Sequence, residues 1–411
     1  MQIGIALNPI SPVIPPSRRR LAPLLAGLSM LGPFSIDTMF PAFPAMAAQL
    51  HASPLAMQQT ISVYLIAYAA MSLLHGPLSD ALGRRPVILS GIAMFILATI
   101  GCALSGSIGS LLAFRALQGV SAGAGMIVGR AIIRDCFDGA QAQRLMATVS
   151  MIFGVAPAVA PIIGGWVILV AQWPVIFWLL AGFATLLLLA SSWLLPETLG
   201  PAQRQPLSIG AMATSYRSIL RDRQFFPLAL AGTLNFNAMF VYIVSAPAFV
   251  LNLLRLGEAD FIWLFGPAIG GLMLGSFLSG RMAGRTTATR TIGIGYALML
   301  GASALNLVVS ASLAQAQIPW SVLPISLHAI GIGVCFPTLT LMLLDRHPRH
   351  RGAVSSLQAF VSLLISSVLA GVVSPMLSDS ALKLATGSAA LSVLGFASWM
   401  RAKRLHESAT R

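Results

Sequence analysis

Charged side chains are scarce in this sequence. Only 9% of the 411 residues are Asp, Glu, Lys or Arg, whereas about 25% of the residues in a soluble domain are charged. A water-soluble globule of this length could not cover its surface with so few charges. The composition therefore excludes a soluble enzyme, a secreted disulfide-bonded scaffold and a disordered chain.

Cysteine is scarce as well. The three cysteines, Cys102, Cys136 and Cys335, lie far apart, and no two of them form a C-x-x-C pair. Cysteines scattered in this way indicate neither a disulfide framework nor a metal site. We expect no metal and no bound cofactor.

The sequence is instead rich in long apolar runs. Hydrophobic residues make up 57% of the chain, and the mean hydropathy is +0.85. A helix that crosses a membrane needs about 20 apolar residues, and these runs are too long and continuous for barrel strands of about 10 alternating residues. We predict an all-α polytopic membrane protein with twelve transmembrane helices. The predicted helices are Leu21–Phe40, Ala56–Leu74, Val87–Ser105, Ser110–Arg130, Arg144–Val170, Pro174–Leu195, Phe225–Leu251, Phe261–Gly280, Thr291–Ala314, Pro319–Leu344, Gly352–Met376 and Ala381–Met400.

The predicted helices fall into two groups of six. The longest connection, residues 196–224, is rich in Pro, Gln, Ser and Arg and is predicted to be a cytoplasmic linker. It separates an N-terminal half, residues 21–195, from a C-terminal half, residues 225–400. Residues 1–20 and 401–411 are predicted to be a cytoplasmic N-terminal segment and a cytoplasmic tail.

The net charge of +14 indicates membrane topology rather than nucleic-acid binding, because the basic residues lie between the apolar runs. Cytoplasmic loops of membrane proteins carry an excess of Lys and Arg. If the N-terminus is inside, Arg255 and Lys383 are the only basic residues in outer loops, and Arg115 is the only one within a helix. Both termini are therefore predicted to be cytoplasmic. The start of the chain also resembles a signal peptide, but Asp37 and the prolines of that apolar run argue against cleavage.

Three ionisable residues fall well inside predicted helices: Asp37, Arg115 and His328. Such residues are costly in a membrane and indicate function by default. With a rise of about 1.5 Å per residue, Asp37 lies about 24 Å from the inner face. Arg115 lies about 23 Å from that face in a hydrocarbon core about 30 Å thick. At this shared depth, the two charges are predicted to neutralise each other across a central cavity.

Each of these residues also has a plainer interpretation. Asp37 could reach the outer surface near Pro41, Arg115 could be a structural charge that holds backbone carbonyls, and His328 fits a packed helix residue better than a proton relay. The predicted wall of the substrate cavity consists of Asp37, Tyr64, Tyr68, Gln118, Asn235 and Asn237. The two tyrosines are also consistent with simple packing, and Gln118 shares the helix face of Arg115.

A glycine-rich basic loop follows the second predicted helix. Residues 76–86 read GPLSDALGRRP. Gly76 would let helices approach closely, Gly83 would permit a tight turn, and Asp80 could face a helix N-terminus and accept hydrogen bonds from Arg84. The run resembles the signature G-x-L-x-D-x-x-G-R-R of the major facilitator superfamily.

Three further stretches resemble motifs of that superfamily. Residues 114–119, FRALQG, are similar to the R-x-x-Q-G motif of proton-coupled members. Residues 160–165, APIIGG, resemble the antiporter motif G-P-x-x-G-G, with Ala160 where glycine is usual. Residues 36–44, IDTMFPAFP, look like the first-helix D-x-Y-L-P-A-L-P of the bicyclomycin/chloramphenicol (Bcr/CflA) drug exporters, although a methionine replaces the usual tyrosine. The residues assigned to the antiporter motif are Gly154, Pro157, Pro161, Gly164 and Gly165.

The resemblance also implies an inner charge cluster that latches the two halves together. Its members would be Gly76, Asp80, Gly83, Arg84, Arg85 and Asp135. The second half repeats the loop only faintly, with Gly280 in place of the acid. This difference suggests that only one half carries the latch.

The resemblance implies a major facilitator fold of two pseudo-symmetric halves and a monomeric proton-coupled antiporter. It would export small amphiphilic compounds across a bacterial inner membrane, with Asp37 and Arg115 coupling export to protons and a proton gradient as the energy source. Multidrug efflux and antibiotic resistance are the expected consequences; the alternative is an exporter of a sugar or amino-acid metabolite on the same fold.

We do not expect an enzyme, because no His/Asp/Glu cluster or nucleophile pair is visible. A receptor without flux remains open, although the antiporter motif argues against it. The expected partners are the small-molecule substrate, protons and the lipid bilayer.

Overall fold

The structure is a computed structural model that describes residues 18–137, 139–204, 206–347 and 351–410. The regular elements in these ranges are all helical. The α-helices are α1 (Arg18–Asp37), α2 (Phe43–Gln49), α3 (Pro54–Leu82), α4 (Arg84–Ala103), α5 (Ile108–Cys136), α6 (Gly139–Val170), α7 (Pro174–Leu194), α8 (Ile209–Leu220), α9 (Phe225–Val244), α10 (Ile262–Met282), α11 (Ala288–Ser312), α12 (Leu323–Asp345), α13 (Arg351–Val368), α14 (Ser374–Leu377) and α15 (Ala381–Thr410). Two short 3₁₀ helices (Phe40–Ala42 and Pro201–Gln203) and two π-helical segments (Pro247–Leu253 and Leu369–Val373) lie between them.

The twelve predicted crossings are confirmed. Eleven helical spans in the described residues are long and apolar enough to cross a membrane. Helix α6 supplies the twelfth: it has 32 residues, and the apolar stretch described within it is Val155–Val170. The chain is therefore an all-α, multi-pass membrane protein.

Several boundaries differ from the prediction. Helix α1 ends at Asp37, and a 3₁₀ turn and α2 complete the crossing. Pro41 and Pro44 lie in the first turns of these two segments, where a missing N–H costs no helical bond. The second predicted helix continues through Gly76-Pro77 to Leu82, so much of the predicted loop is helical. The last helix runs to Thr410 rather than Met400, since the tail consists largely of good helix formers.

The two halves repeat one packing scheme. In the N-terminal half, Gly119 of α5 lies directly against the carbonyl of Tyr64 in α3. In the C-terminal half, Gly275 of α10 lies against the carbonyl of Ile330 in α12. A glycine at each site lets two membrane helices approach to backbone contact. The repetition fits two halves related by an internal repeat.

The halves meet along α3 and α13 and along α6 and α10. We call the side of the molecule that holds Leu82, Arg84 and Cys136 the basic side, and the side that holds Gln49 and Val244 the opposite side. On the opposite side, the ring centroids of Phe40 and Phe265 are 6.1 Å apart across the two halves. The described side-chain contacts between the halves concentrate at this end.

Candidate functional site

Arg115 is the centre of a buried polar site in the N-terminal half. Its side chain is fully buried, and its guanidinium lies 4.4 Å from the ring centroid of Tyr64. Nη1 donates to the carbonyl of Ser35 in α1 at 2.9 Å, and Nε donates to the carbonyl of Thr60 in α3 at 3.2 Å. The last carbonyls of α1 carry partial negative charge, so the helix end partly compensates the buried cation.

Gln118 extends this network from α5 to α4. Its Oε1 accepts from Arg115 Nη1 at 2.7 Å, and its Nε2 donates to Thr99 Oγ1 at 2.8 Å. Arg115 and Gln118 are three residues apart and share one helix face. Together they join α1, α3, α4 and α5 by hydrogen bonds in a medium that offers no water.

Asp37 lies beside this network but is not paired with it. Asp37 is the last residue of α1 and is 4% exposed. Ser35, whose carbonyl accepts from Arg115, is two residues before it. Among the described residues, no ion pair within 4.0 Å joins Asp37 to Arg115. The predicted mutual neutralisation is therefore corrected: backbone carbonyls and Gln118 take the hydrogen bonds of Arg115.

The predicted cavity residues separate into two groups. Tyr64 and Tyr68 pack edge to face with ring centroids 6.3 Å apart and accompany Arg115 in the N-terminal half. Asn237 is fully buried, and its Oδ1 accepts from Ser366 of α13 at 2.9 Å. Asn235 faces α12 and α15, because its side chain lies against Cys335 and the backbone of Gly395. The structure thus does not bring Asn235 together with Asp37.

His328 belongs to a neutral network inside the C-terminal half. Its Nε2 lies 2.9 Å from Ser392 Oγ, and its Nδ1 has no partner among the described residues. Asn306 donates to the hydroxyl of Tyr242 at 2.7 Å. His328, Asn306 and Ser303 line one small cavity. This arrangement fits the packed-histidine interpretation.

The basic loop forms a charge cluster at the basic side. The Arg84 side chain donates to Asp80, to Ser79 Oγ at 2.6 Å and to Asp135 Oδ2 at 3.0 Å. Gly83 has a φ of +103°, which favours glycine. Gly76 has no described atom within 4 Å of the position that a Cβ would occupy, so the predicted close helix approach is absent there.

Glu197, which sequence reasoning missed, completes this cluster. Its carboxylate accepts from the backbone N–H of Arg84 at 3.0 Å and from that of Arg85 at 3.3 Å. It therefore occupies the N-terminus of α4, where Asp80 was expected, and an anion is favoured there. The only signal for it in the sequence is an acid placed directly after an apolar helix.

This cluster holds the ends of α3, α4, α5 and α7 together within one half. Its described partners include no residue of the C-terminal half, so in this conformation it does not latch the halves as expected. The C-terminal half has a cluster of its own, in which Asp222 accepts from Arg346 Nε at 2.8 Å and lies 3.1 Å from His347 Nε2. It joins the start of α9 to the end of α12, at positions where no motif is present in the sequence.

The electrostatics of Asp222 follow from these contacts. Burial raises the pKa of Asp222, but hydrogen bonds from Arg346 and from the backbone of Gln224 outweigh burial. The positive charge of Arg346 acts in the same direction and holds the pKa below its ordinary value. Asp222 is therefore an ionised anchor rather than a proton acceptor.

The antiporter-motif residues lie in α6. A Cβ on Gly164 would meet the carbonyl of Thr38 next to Asp37, and a Cβ on Gly165 would meet the carbonyl of Glu258 in the other half. Adjacent glycines therefore contact different halves of the molecule. Pro157 and Pro161 lie inside the same helix. The surroundings of Gly154 lie outside the described residues.

A family profile and two relatives of known name all point to the same superfamily. The profile described as the Major Facilitator Superfamily matches residues 25–371. A bicyclomycin resistance protein homolog of Haemophilus influenzae is 26% identical over 86% of this chain and 88% of its own length. The multidrug resistance protein MdtM of Salmonella typhimurium is 30% identical over 75% of this chain and 74% of its own.

A solved structure shows the same architecture. The human organic anion transporter MFSD10 matches with a TM-score of 0.70 at 18% identity, over 93% of this chain and 100% of that chain. The likeness at this identity concerns the fold. It supports the arrangement of twelve helices in two halves.

Proposed function

The chain belongs to the Major Facilitator Superfamily of membrane transporters, and from that premise we propose that it exports small amphiphilic compounds in exchange for protons. The predicted membership and the absence of enzymatic function are confirmed by the family match. The drug-resistance names of the two relatives support an antibiotic-like substrate. The observation that carries the coupling is Asp37, a buried carboxylate that the neighbouring arginine does not pair with.

Asp37 is the proposed proton carrier. An unpaired carboxylate is costly in a membrane, and either a proton or a cationic substrate relieves that cost. Proton and substrate therefore compete for the same group. Each proton that enters the cell supplies about 2.3 kcal/mol per 100 mV and about 1.4 kcal/mol per pH unit, which drives export.

The proposed orientation places both termini and the basic side in the cytoplasm. The contacts between the halves at the opposite side then close the protein to the exterior. Substrate enters from the cytoplasm in this state. It leaves after one half rocks against the other, as in other transporters built from repeats.

The test is uphill transport in proteoliposomes with an imposed proton gradient and a panel of amphiphilic antibiotics. We expect Asp37→Asn to abolish uphill export, because it removes the titrating group and keeps the size of the side chain. The matched control is Asp379→Asn, whose side chain is 64% exposed and pairs with Lys383. Uphill export by Asp37→Asn at the wild-type level would refute the proposal.

A further inference from the structure

One face of α3 donates three hydrogen bonds from the N-terminal half to the C-terminal half. Gln58 Nε2 donates to the carbonyl of Val244 at 3.0 Å, and Gln59 Nε2 donates to the carbonyl of Gly371 at 2.7 Å. Ser62 Oγ donates to the carbonyl of Ser367 at 2.8 Å. All three donors lie in the first turns of α3, at the opposite side of the molecule.

The three acceptors lie where the helix pattern of the C-terminal half breaks. Val244 ends α9, and the last carbonyls of a helix have no partner within it. Gly371 lies inside the π segment Leu369–Val373, and Ser367 directly precedes the region where α13 gives way to it. A backbone carbonyl has two acceptor lone pairs. Each of these sites can therefore accept a bond from α3 in addition to any bond within its own helix.

The contact is tight and dry. Gln58, Ser62 and Gly371 are all buried. A Cβ on Gly371 would lie 2.5 Å from Ser62 Oγ and 2.8 Å from Ser62 Cβ, so only glycine fits against α3. Hydrogen bonds in such a low-dielectric contact are stronger than in water.

The contact also contains an unfavourable element. Gln58 Oε1 is buried and has no hydrogen-bond partner among the described residues. A stranded polar atom costs free energy whenever this end is closed. The closed state is therefore held by three bonds and opposed by one unsatisfied group.

We propose that Gln58, Gln59 and Ser62, with Gly371, form a gate at the opposite side whose hydrogen bonds set the balance between closed and open conformations. The inference deepens the proposed function and rests on it for its biological direction. In an exporter with cytoplasmic termini this is the outer gate, which must open to release substrate.

The experiment measures the gate directly by pulsed electron resonance between two nitroxide labels. The labels are attached at Ala48→Cys and Asn252→Cys, two exposed positions at the opposite side of different halves, after replacement of the native cysteines by alanine. We expect the parent to give a short distance. Gly371→Ala should move most of the population to a longer distance, because its methyl group displaces Ser62.

Two further variants separate a gate from a general packing defect. Gln59→Ala with Ser62→Ala removes two donors without adding bulk, and it should shift the population in the same direction. Gly270→Ala is the matched control, because its Cβ would meet no described atom within 4 Å, and it should leave the distance unchanged. The proposal holds only if Gly371→Ala and the double variant both lengthen the distance; an unchanged distribution in either overturns it.

This readout requires neither substrate nor a proton gradient. If both gate variants lengthen the distance but the wild-type protein shows no uphill export, the proposed function is refuted and the gate is kept. Intact proton-driven export with an unchanged distance would refute the gate and keep the proposed function.

Discussion

The two halves share a packing scheme but satisfy their buried polar groups differently. The N-terminal half buries a cation, Arg115, and an acid, Asp37, which lies two residues after a carbonyl that the cation binds. The C-terminal half has no Asp, Glu, Lys or Arg in residues 225–254, 261–280 or 291–344. It relies on neutral hydrogen bonds, such as those of Asn306 and His328.

This difference indicates that the two halves have different roles in transport. A group that can exchange a proton for a substrate must sit in the interior and be ionisable, and the acidic candidate lies in the N-terminal half. Hydrogen bonds between uncharged side chains hold the helices of the C-terminal half together. This arrangement suits a half that does not itself exchange protons. We infer that coupling belongs to the first half and that the second half mainly shapes the cavity and the gate.

The largest difference between the halves is expected when the central side chain of each buried hydrogen-bond network is removed. Arg115→Ala loses three hydrogen bonds and a large buried side chain, and we expect about 3 kcal/mol of lost unfolding free energy. His328→Ala loses one bond, and we expect about 1 kcal/mol.

Unfolding in mixed detergent micelles measures both variants. Arg115→Lys keeps the charge but loses the planar fork, so its loss should be intermediate. Equal losses for Arg115→Ala and His328→Ala would show that the two networks carry similar weight, contrary to the comparison.

The charge clusters at the basic side offer a second comparison. Glu197→Gln weakens two bonds at the start of α4, and we expect it to lower the unfolding free energy by about 1 kcal/mol. Thermal unfolding of the purified protein reports the change. Ser192→Ala, in the same region with an exposed hydroxyl bond, is the control that should change nothing.

The part of this picture that the sequence predicts is the local part. Run lengths predict the twelve helices, and the spacing of Asp80 and Arg84 predicts their contact because they are four residues apart. Glu197 lies 113 residues from the backbone group it caps, and no local pattern links the two. Two of the three partners of Arg115 are likewise backbone carbonyls, which any residue could supply, whereas Gln118 is three residues away on the same helix.

The contact between the halves is invisible in the sequence for a related reason. Gln58 bonds across 186 residues to a helix end, and Gln59 bonds to a π segment whose geometry departs from the periodic pattern. Such acceptors arise only when two packed halves meet. The sequence predicts where helices lie but not which of their carbonyls meet a donor from the other half.

The contribution of Asp222 to stability is expected to depend on pH. The pKa of Asp222 is depressed in the fold, so its stabilising contribution is complete above its unfolded value of about 3.9. That contribution is lost as the pH falls through the lower folded pKa, because the unfolded state then takes up more protons. Asp222→Asn should therefore be less stable than the parent at neutral pH, and the difference should shrink below about pH 4. Unfolding curves of both proteins from pH 7 to pH 3 measure the difference; a gap that is constant with pH would contradict the assignment.

Thiol labelling tests whether the two clusters face the same compartment. Cys136 lies beside the N-terminal cluster, and His347→Cys would lie beside the C-terminal one. A membrane-impermeant thiol reagent should label neither in intact cells and both in inverted vesicles, while the buried Cys102 and Cys335 stay unreactive. Labelling of Cys136 from outside would reverse the proposed orientation.

The most direct test of a coupling site confined to the N-terminal half is proton release upon substrate addition. The detergent-solubilised protein is mixed with an amphiphilic antibiotic in weakly buffered solution, and the pH change is recorded for the wild type, Asp37→Asn and His328→Gln. We predict release by the wild type and by His328→Gln and none by Asp37→Asn. Release by Asp37→Asn equal to that of the wild type, or its loss in His328→Gln alone, would contradict the account.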